Sequence, residues 1–242
     1  MNVSNNKILI TGGASGIGLG LTERFVGETN TVIICGRRQA ALDEVAARLP
    51  SVITRACDLS SADERQALYA WIRDEHSDLT VLVNNAGIQQ WMSVTDADFF
   101  GRAKEEIAVN IEAPLHLTHL FLGLPSLKTI INVTSGLAFT PLAKVPVYSA
   151  TKAFLRSFTL SLRALLSARG IEVIEMIPPA INTDLGGQGR HDNLPPVSAF
   201  VDAIFEQLNQ GKTELTFGTS AERANATAGE LRAWFDRMNA AG

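Results

Sequence analysis

The sequence predicts an α/β fold: a doubly wound, mostly parallel seven-stranded sheet with helices on both faces. Three observations lead there. Short apolar runs alternate with longer amphipathic stretches along the chain, most of those runs are continuous Ile, Val and Leu, and a glycine-rich turn follows the first of them. A continuous apolar strand is covered on both faces, as in a parallel sheet, and strand–helix–strand repeats wind with right-handed crossovers. The first strand, 7–11, is the run Ile8-Leu9-Ile10 before Gly12-Gly13, and a helix over 17–28 leaves that turn. Strand 31–35 ends in Cys35-Gly36, followed by helix 39–49; strand 52–56 is followed by helix 62–75. Strand 79–84, a long helix over 98–123, strand 128–134 and a helix over 148–169 continue the alternation. Strand 171–177, helix 197–209, a short strand 214–217 and a helix over 221–238 complete it.

No linker divides the 242 residues, and no repeat at a solenoid period is present, so residues 1–242 read as one domain. The irregular stretch before Pro196 holds Gly186, Gly187, Gly189 and Pro195, and about 182–197 reads as a lid over a ligand. With 46% hydrophobic and 19% charged residues the chain is globular, not disordered or a coiled coil. A net charge of -4, with 21 basic and 25 acidic residues, offers no surface for a duplex and argues against nucleic acid as partner. Only Cys35 and Cys57 are present, so a disulfide framework is excluded and a reducing cytoplasm is expected. Ile8-Leu9-Ile10 is too short for a signal peptide's apolar region, and no run approaches the length of a membrane span.

Chemistry collects at three places. Thr11-Gly12-Gly13-Ala14-Ser15-Gly16-Ile17-Gly18 follows the first strand. Its glycines let the backbone turn tightly and approach a pyrophosphate, which sits on the N-terminus of the next helix. The spacing G-x-x-x-G-x-G differs from the commoner G-x-G-x-x-G, and a plain glycine turn is its bland alternative. Arg37 and Arg38 end the second strand where binders of NAD carry an acid and binders of NADP an arginine. A guanidinium matches a phosphate dianion, so this end points to NADP; two solvated arginines would be mildly unfavourable at a helix start. Tyr148 and Lys152, four apart, share one helix face. An ammonium beside a phenol lowers its pKa from about 10, giving a proton donor and acceptor for carbonyl–alcohol chemistry.

Taken with Asn84-Asn85-Ala86-Gly87, Asn110 and Ser135 between them, these motifs resemble the short-chain dehydrogenase/reductase family in order and spacing, from about Lys7 to Thr183. The resemblance implies a Rossmann-like fold and a catalytic set of Asn110, Ser135, Tyr148 and Lys152. Tyr148 would protonate the carbonyl oxygen, Lys152 would tune it and hold the nicotinamide ribose, Ser135 would hold the substrate oxygen, and Asn110 would complete a proton relay through a water. NADP(H) is the implied cofactor. Gly12, Ser15, Gly16, Ile17, Gly18, Arg37 and Arg38 would hold its phosphates. Asp58 and Leu59 match the adenine contact, and Asn85, Ala86 and Gly87 the turn beneath the cofactor. Pro178, Ile181 and Thr183 match the segment at the nicotinamide end. One departure is Pro178-Pro179, where the family has Pro-Gly; a second proline fixes φ and removes an N–H, which puts the local path in question.

The reading is an NADP(H)-dependent oxidoreductase acting on a small ketone, aldehyde or sugar-like carbonyl/alcohol pair. A 3-oxoacyl thioester reductase is the alternative, with Arg102, Lys104 and Arg190 the sparse candidates for docking an acidic carrier; a non-catalytic NADP sensor is a third. His116 and His119 lack a third ligand, so no metal is expected, and Cys35 and Cys57 read as inert buried thiols. Trp91 and Phe139 lie on loops at the ligand edge, as pocket wall or loop anchors. A homodimer or homotetramer is implied, with the pairs Ala113/Leu117 and Leu160/Ala164 offered as its seam or as core.

Overall fold

The computed structural model describes residues 1–240; the last two residues of the expected domain, Ala241 and Gly242, lie outside them. Seven strands form one sheet: β1 (Lys7–Thr11), β2 (Thr31–Gly36), β3 (Ile53–Ala56), β4 (Val81–Asn84), β5 (Thr129–Val133), β6 (Glu172–Ile177) and β7 (Glu214–Thr216). Their order is β3-β2-β1-β4-β5-β6-β7 and every pairing is parallel. The helices are α1 (Gly16–Gly27), α2 (Gln39–Arg48), α3 (Ala62–Glu75), α4 (Phe99–Ile107), α5 (Ala113–Phe121), α6 (Pro146–Leu166), α7 (Val197–Asn209), α8 (Thr219–Ala224) and α9 (Ala228–Asn239).

Both sheet faces are covered, which is why the strands lack polar alternation. Along β1, Ile8 and Ile10 enter one core with Phe25 of α1 and Phe205 of α7, whose rings lie 4.7 Å apart. Leu9 enters the other, with Phe121 of α5 and Leu162 of α6. Each such side chain contributes about 1.5–3 kcal/mol on burial, so slipping one strand by a residue would forfeit several at once. Strand order reverses between β1 and β4, and a crevice opens at their carboxyl ends, where doubly wound sheets hold ligands.

Two expected helices are broken. The 98–123 helix is α4 and α5 joined by a π turn, Ala108–Glu112. Pro114 has no N–H for the Asn110 carbonyl, and the ladder shifts to longer steps such as Ala113 N–H to Ala108 O. The 221–238 helix is α8 and α9, because Thr227 starts a new helix through a capping box with Glu230. Ala113 and Leu117 belong to the core, whereas Leu160 of the second pair is 41% exposed, and Phe154 and Leu165 elsewhere on α6 are exposed too. Among the described residues no helix is long and apolar enough to cross a membrane.

A buried polar chain fixes α6 against the sheet. Asn84 Nδ2 donates to Asn132 Oδ1 at 2.9 Å, Asn132 Nδ2 donates to Thr159 Oγ1 at 2.9 Å, and Thr159 Oγ1 donates to the Leu155 carbonyl. On the other flank, fully buried Glu175 accepts from Thr134 Oγ1 at 2.7 Å and from Arg156 Nη1 at 2.6 Å. Both partners of such bonds must stay in place, since an orphaned buried group costs about 1–3 kcal/mol. The register of α6, and so the placement of Tyr148 and Lys152, follows.

Candidate active site

A cleft of 1830 Å³ lies along the carboxyl ends of the strands. All the sequence-predicted site residues line it except Asn110: Gly12, Ser15, Gly16, Ile17, Gly18, Arg37, Arg38, Asp58 and Leu59 at one end, then Asn85, Ala86 and Gly87. Ser135, Tyr148, Lys152, Pro178, Ile181 and Thr183 follow.

The glycine turn is tight for a stated reason. A Cβ on Gly18 would lie 2.2 Å from the Gly12 carbonyl oxygen and 2.5 Å from Asn85 Nδ2, while Gly12 holds φ at +66°. Asn85 explains the closeness: its Nδ2 donates to the Thr11 carbonyl at 2.8 Å, and the Asn85 and Ala86 amides both donate to Thr11 Oγ1. This clamp binds the end of β1 to the end of β4. Ser15 precedes α1 without capping it through its side chain, and the first turn carries no acid. The leading amides of α1 are therefore directed at the cleft with the positive end of the helix dipole behind them.

Arg37 and Arg38 are exposed at the rim, and neither forms an ion pair among the described residues. The Asp58 carboxylate accepts from the amide and hydroxyl of Ser60; those bonds, and more weakly Arg37, hold it below the usual carboxylate range.

At the other end Ser135, Tyr148 and Lys152 converge, each nine-tenths or more buried. Burial pushes the Tyr148 phenol up, the Ser135 side chain pulls it back, and Glu106 adds to the rise. Burial pushes the Lys152 amine down to about 8. The expected lowering of the phenol by Lys152 is absent: Lys152 Nζ donates to the Val133 carbonyl at 2.7 Å and stands 5.6 Å from the Tyr148 ring centre. Desolvation outweighs an attraction aimed elsewhere, and burial favours the neutral phenol.

Asn110 sits behind this group in the π turn. Its Oδ1 accepts from the Ile88 amide and its Nδ2 donates to the Ile88 carbonyl, both at 2.9 Å, and to Thr151 Oγ1 at 3.1 Å. The side chain thus fixes the loop after Gly87 to α6. Glu106, one turn earlier on α4, is fully buried and accepts from the Gln90 amide, while its Oε2 has no partner. Burial raises its carboxyl to about 7. Sequence reasoning missed Glu106, because a glutamate on an amphipathic helix ordinarily faces water.

The second proline after β6 leaves this arrangement intact, since the Pro178 carbonyl accepts the Gly136 amide at 2.9 Å and ties the ends of β5 and β6. Segment 182–196 folds back on itself, with the Asn182 amide donating to the Pro195 carbonyl. It packs on Trp91, whose ring carries the Arg190 guanidinium at 4.6 Å. Phe139 instead stacks under Arg156 and does not line the cleft. His116 Nδ1 accepts from Arg65, and among the described residues no cluster of three His, Cys, Asp or Glu could hold a metal. Cys35 and Cys57 are buried thiols, Cys57 pushed up to about 12 by burial.

The family model for short chain dehydrogenases matches residues 6–194, so this chain belongs to that family and is an oxidoreductase of it. The chain is 42% identical to the uncharacterized oxidoreductase DltE of Bacillus subtilis (strain 168), across 99% of this chain and 98% of that one. Serine 3-dehydrogenase of Agrobacterium fabrum is 34% identical, covering 78% of this chain and 80% of the enzyme. A short chain dehydrogenase from Burkholderia cenocepacia J2315, solved in complex with NADP, superposes with a TM-score of 0.85 at 27% identity, covering 98% of this chain and 99% of that one.

Proposed function

We propose that this protein is an NADP(H)-dependent oxidoreductase that interconverts a small carbonyl compound and its alcohol. One observation carries the reading: the uncapped glycine turn and the Ser135–Tyr148–Lys152 group open into the same cleft. The residues present fit a dinucleotide. The turn has no room for a side chain at Gly18, and the α1 amides and Arg37 and Arg38 offer donors without carboxylate partners among the described residues. These residues would hold the phosphates, with Asp58 and Leu59 at the adenine and Asn85, Ala86 and Gly87 beneath. Pro178, Ile181 and Thr183 would flank the nicotinamide. The NADP held by the Burkholderia relative supports the choice of cofactor.

When bound, the nicotinamide supplies or accepts hydride. Everything else falls to side chains. Ser135 donates to the carbonyl oxygen and orients it. Tyr148, kept protonated by burial, delivers its proton to that oxygen as charge develops there, and takes it back in the reverse direction. Lys152, its amine pushed down to about 8 by burial, would hold the nicotinamide ribose. Asn110 keeps the Ile88 loop and α6 at fixed separation. Segment 182–197 closes over the substrate as a lid. Exposed Phe154, Leu160 and Leu165 on α6 give apolar surface on which a dimer or tetramer would pack.

The acyl-carrier alternative loses one of its three candidate charges. Arg102 is spent on Asp96 at 2.6 Å, Asp98 at 2.9 Å and the Trp91 carbonyl. NADPH oxidation across ketones, aldehydes and ketoses tests the reading. Tyr148→Phe is expected to lower kcat by about 10²–10⁴-fold, the usual contribution of a positioned acid. Full activity in that variant would remove Tyr148 from its role, and tight NADPH binding without turnover of any carbonyl would favour a sensor.

A further inference from the structure

Beyond Ser135 the cleft ends on a charge for which no motif accounts. Arg223, on α8, is 9% exposed and lines the cleft together with Met238. A Cβ placed on Gly136, the residue after Ser135, would lie 3.0 Å from Arg223 Nη1. Trp234 of α9 stacks on the guanidinium at 4.7 Å, and Nη2 reaches Met238 Sδ at 3.1 Å. Its Nε is buried without a hydrogen-bond partner, and it forms no ion pair among the described residues. The one nearby acid acting on it is its exposed chain neighbour Glu222.

A desolvated guanidinium without a counter-ion is costly to keep. The surroundings nevertheless hold it firmly. Ser220, one turn earlier, donates to the Ile177 carbonyl at the end of β6. Asn239 at the end of α9 donates to the Pro141 carbonyl at 3.0 Å and accepts from the Ala143 amide, pinning the wall that carries Trp234 and Met238. The arginine lies against Gly136, next in the chain to Ser135, so within the cleft it is placed near the Ser135 end.

We infer that Arg223 is a specificity-determining residue that binds a carboxylate on the substrate, making the preferred substrates oxo acids and hydroxy acids over neutral ketones. This rests on the oxidoreductase reading above and narrows it to one substrate class. A guanidinium offers a planar fork that a carboxylate matches in two hydrogen bonds, and Trp234 and Met238 shield that pair from water.

The test is NADPH-dependent reduction of two matched pairs, acetoacetate against methyl acetoacetate and succinic semialdehyde against its methyl ester. Wild type should favour the acid of at least one pair by about tenfold or more in kcat/KM. Arg223→Met should lower kcat/KM for that acid by about 10–100-fold, mostly through KM, and leave the ester within about threefold. Arg223→Lys, which keeps the charge, should fall between. Equal use of acid and ester by wild type, or an equal loss on both in Arg223→Met, overturns the anchor while the oxidoreductase reading stands. Should no carbonyl be turned over, that reading fails, and tryptophan fluorescence of the NADPH-loaded protein titrated with acetoacetate decides the anchor. Saturation in wild type but not in Arg223→Met supports it; no saturation overturns it.

Discussion

The turn between β1 and α1 offers main-chain amides and bare glycines to the cleft, whereas the wall beyond Ser135 is made of long side chains from α8 and α9. At the first, shape is set locally: eight consecutive residues, with Asn85 reaching across from β4 to clamp them. At the second, Arg223, Trp234 and Met238 meet only because two short helices fold back over the cleft. The family model covers the first region and stops at residue 194, before the second. A backbone site tolerates almost no change in its own residues, while a side-chain site can be rebuilt for another substrate without disturbing the cofactor end.

One substitution type applied at both ends measures that contrast most strongly. Gly18→Ala drives a methyl group into the Gly12 carbonyl, and a loss of about 3 kcal/mol in unfolding free energy is expected, with weakened NADPH binding. Chemical denaturation and a cofactor titration check it. An unchanged midpoint would show that the turn is looser than its distances say.

A smaller effect is expected at the rim. Arg37→Ala and Arg38→Ala should each weaken NADPH by about 10–100-fold, the range for losing a charge-assisted hydrogen bond, and leave NADH nearly unaffected. Fluorescence titration with both nucleotides gives the ratio. Equal losses for the two would remove the 2′-phosphate from the account.

Glu106 separates the ends by pH. Its carboxyl is raised to about 7 in the fold, so it contributes stability fully below its ordinary value near 4.5 and loses it as pH rises through about 7. Glu106→Gln should remove that loss, gaining on wild type between pH 5 and pH 8 in paired thermal melts. A constant difference across this window would mean the carboxyl does not titrate there.

The smallest change is expected at Gly229 in the first turn of α9, where a Cβ meets nothing within 4 Å. Gly229→Ala should stabilise by about 0.4–1 kcal/mol through the unfolded chain, opposite in sign to Gly18→Ala.

Much of this was legible in residue order, and the failures share a cause. The continuous Ile/Val/Leu runs specify buried parallel strands, and every expected strand lies within two residues of the observed one at either end. The break between α8 and α9 was missed although Thr227 and Glu230 spell a capping box, since the apolar pattern on either side is continuous enough to read as one helix. The π turn at Asn110 was hidden for a similar reason: Pro114 near the start of α5 marks an interruption that a simple period does not register.

Taken alone, the chain order determined the sheet, the glycine turn and the four-residue spacing of Tyr148 and Lys152, because each depends on neighbours in sequence: period, turn conformation, helical pitch. Only tertiary structure decided the electrostatics. Lys152 turns to the Val133 carbonyl and leaves the phenol neutral, Glu106 is buried with an orphaned oxygen, and Arg223 comes to lie beside Gly136. Desolvation acts on all three, and burial arises from segments far apart along the chain, which no local pattern records.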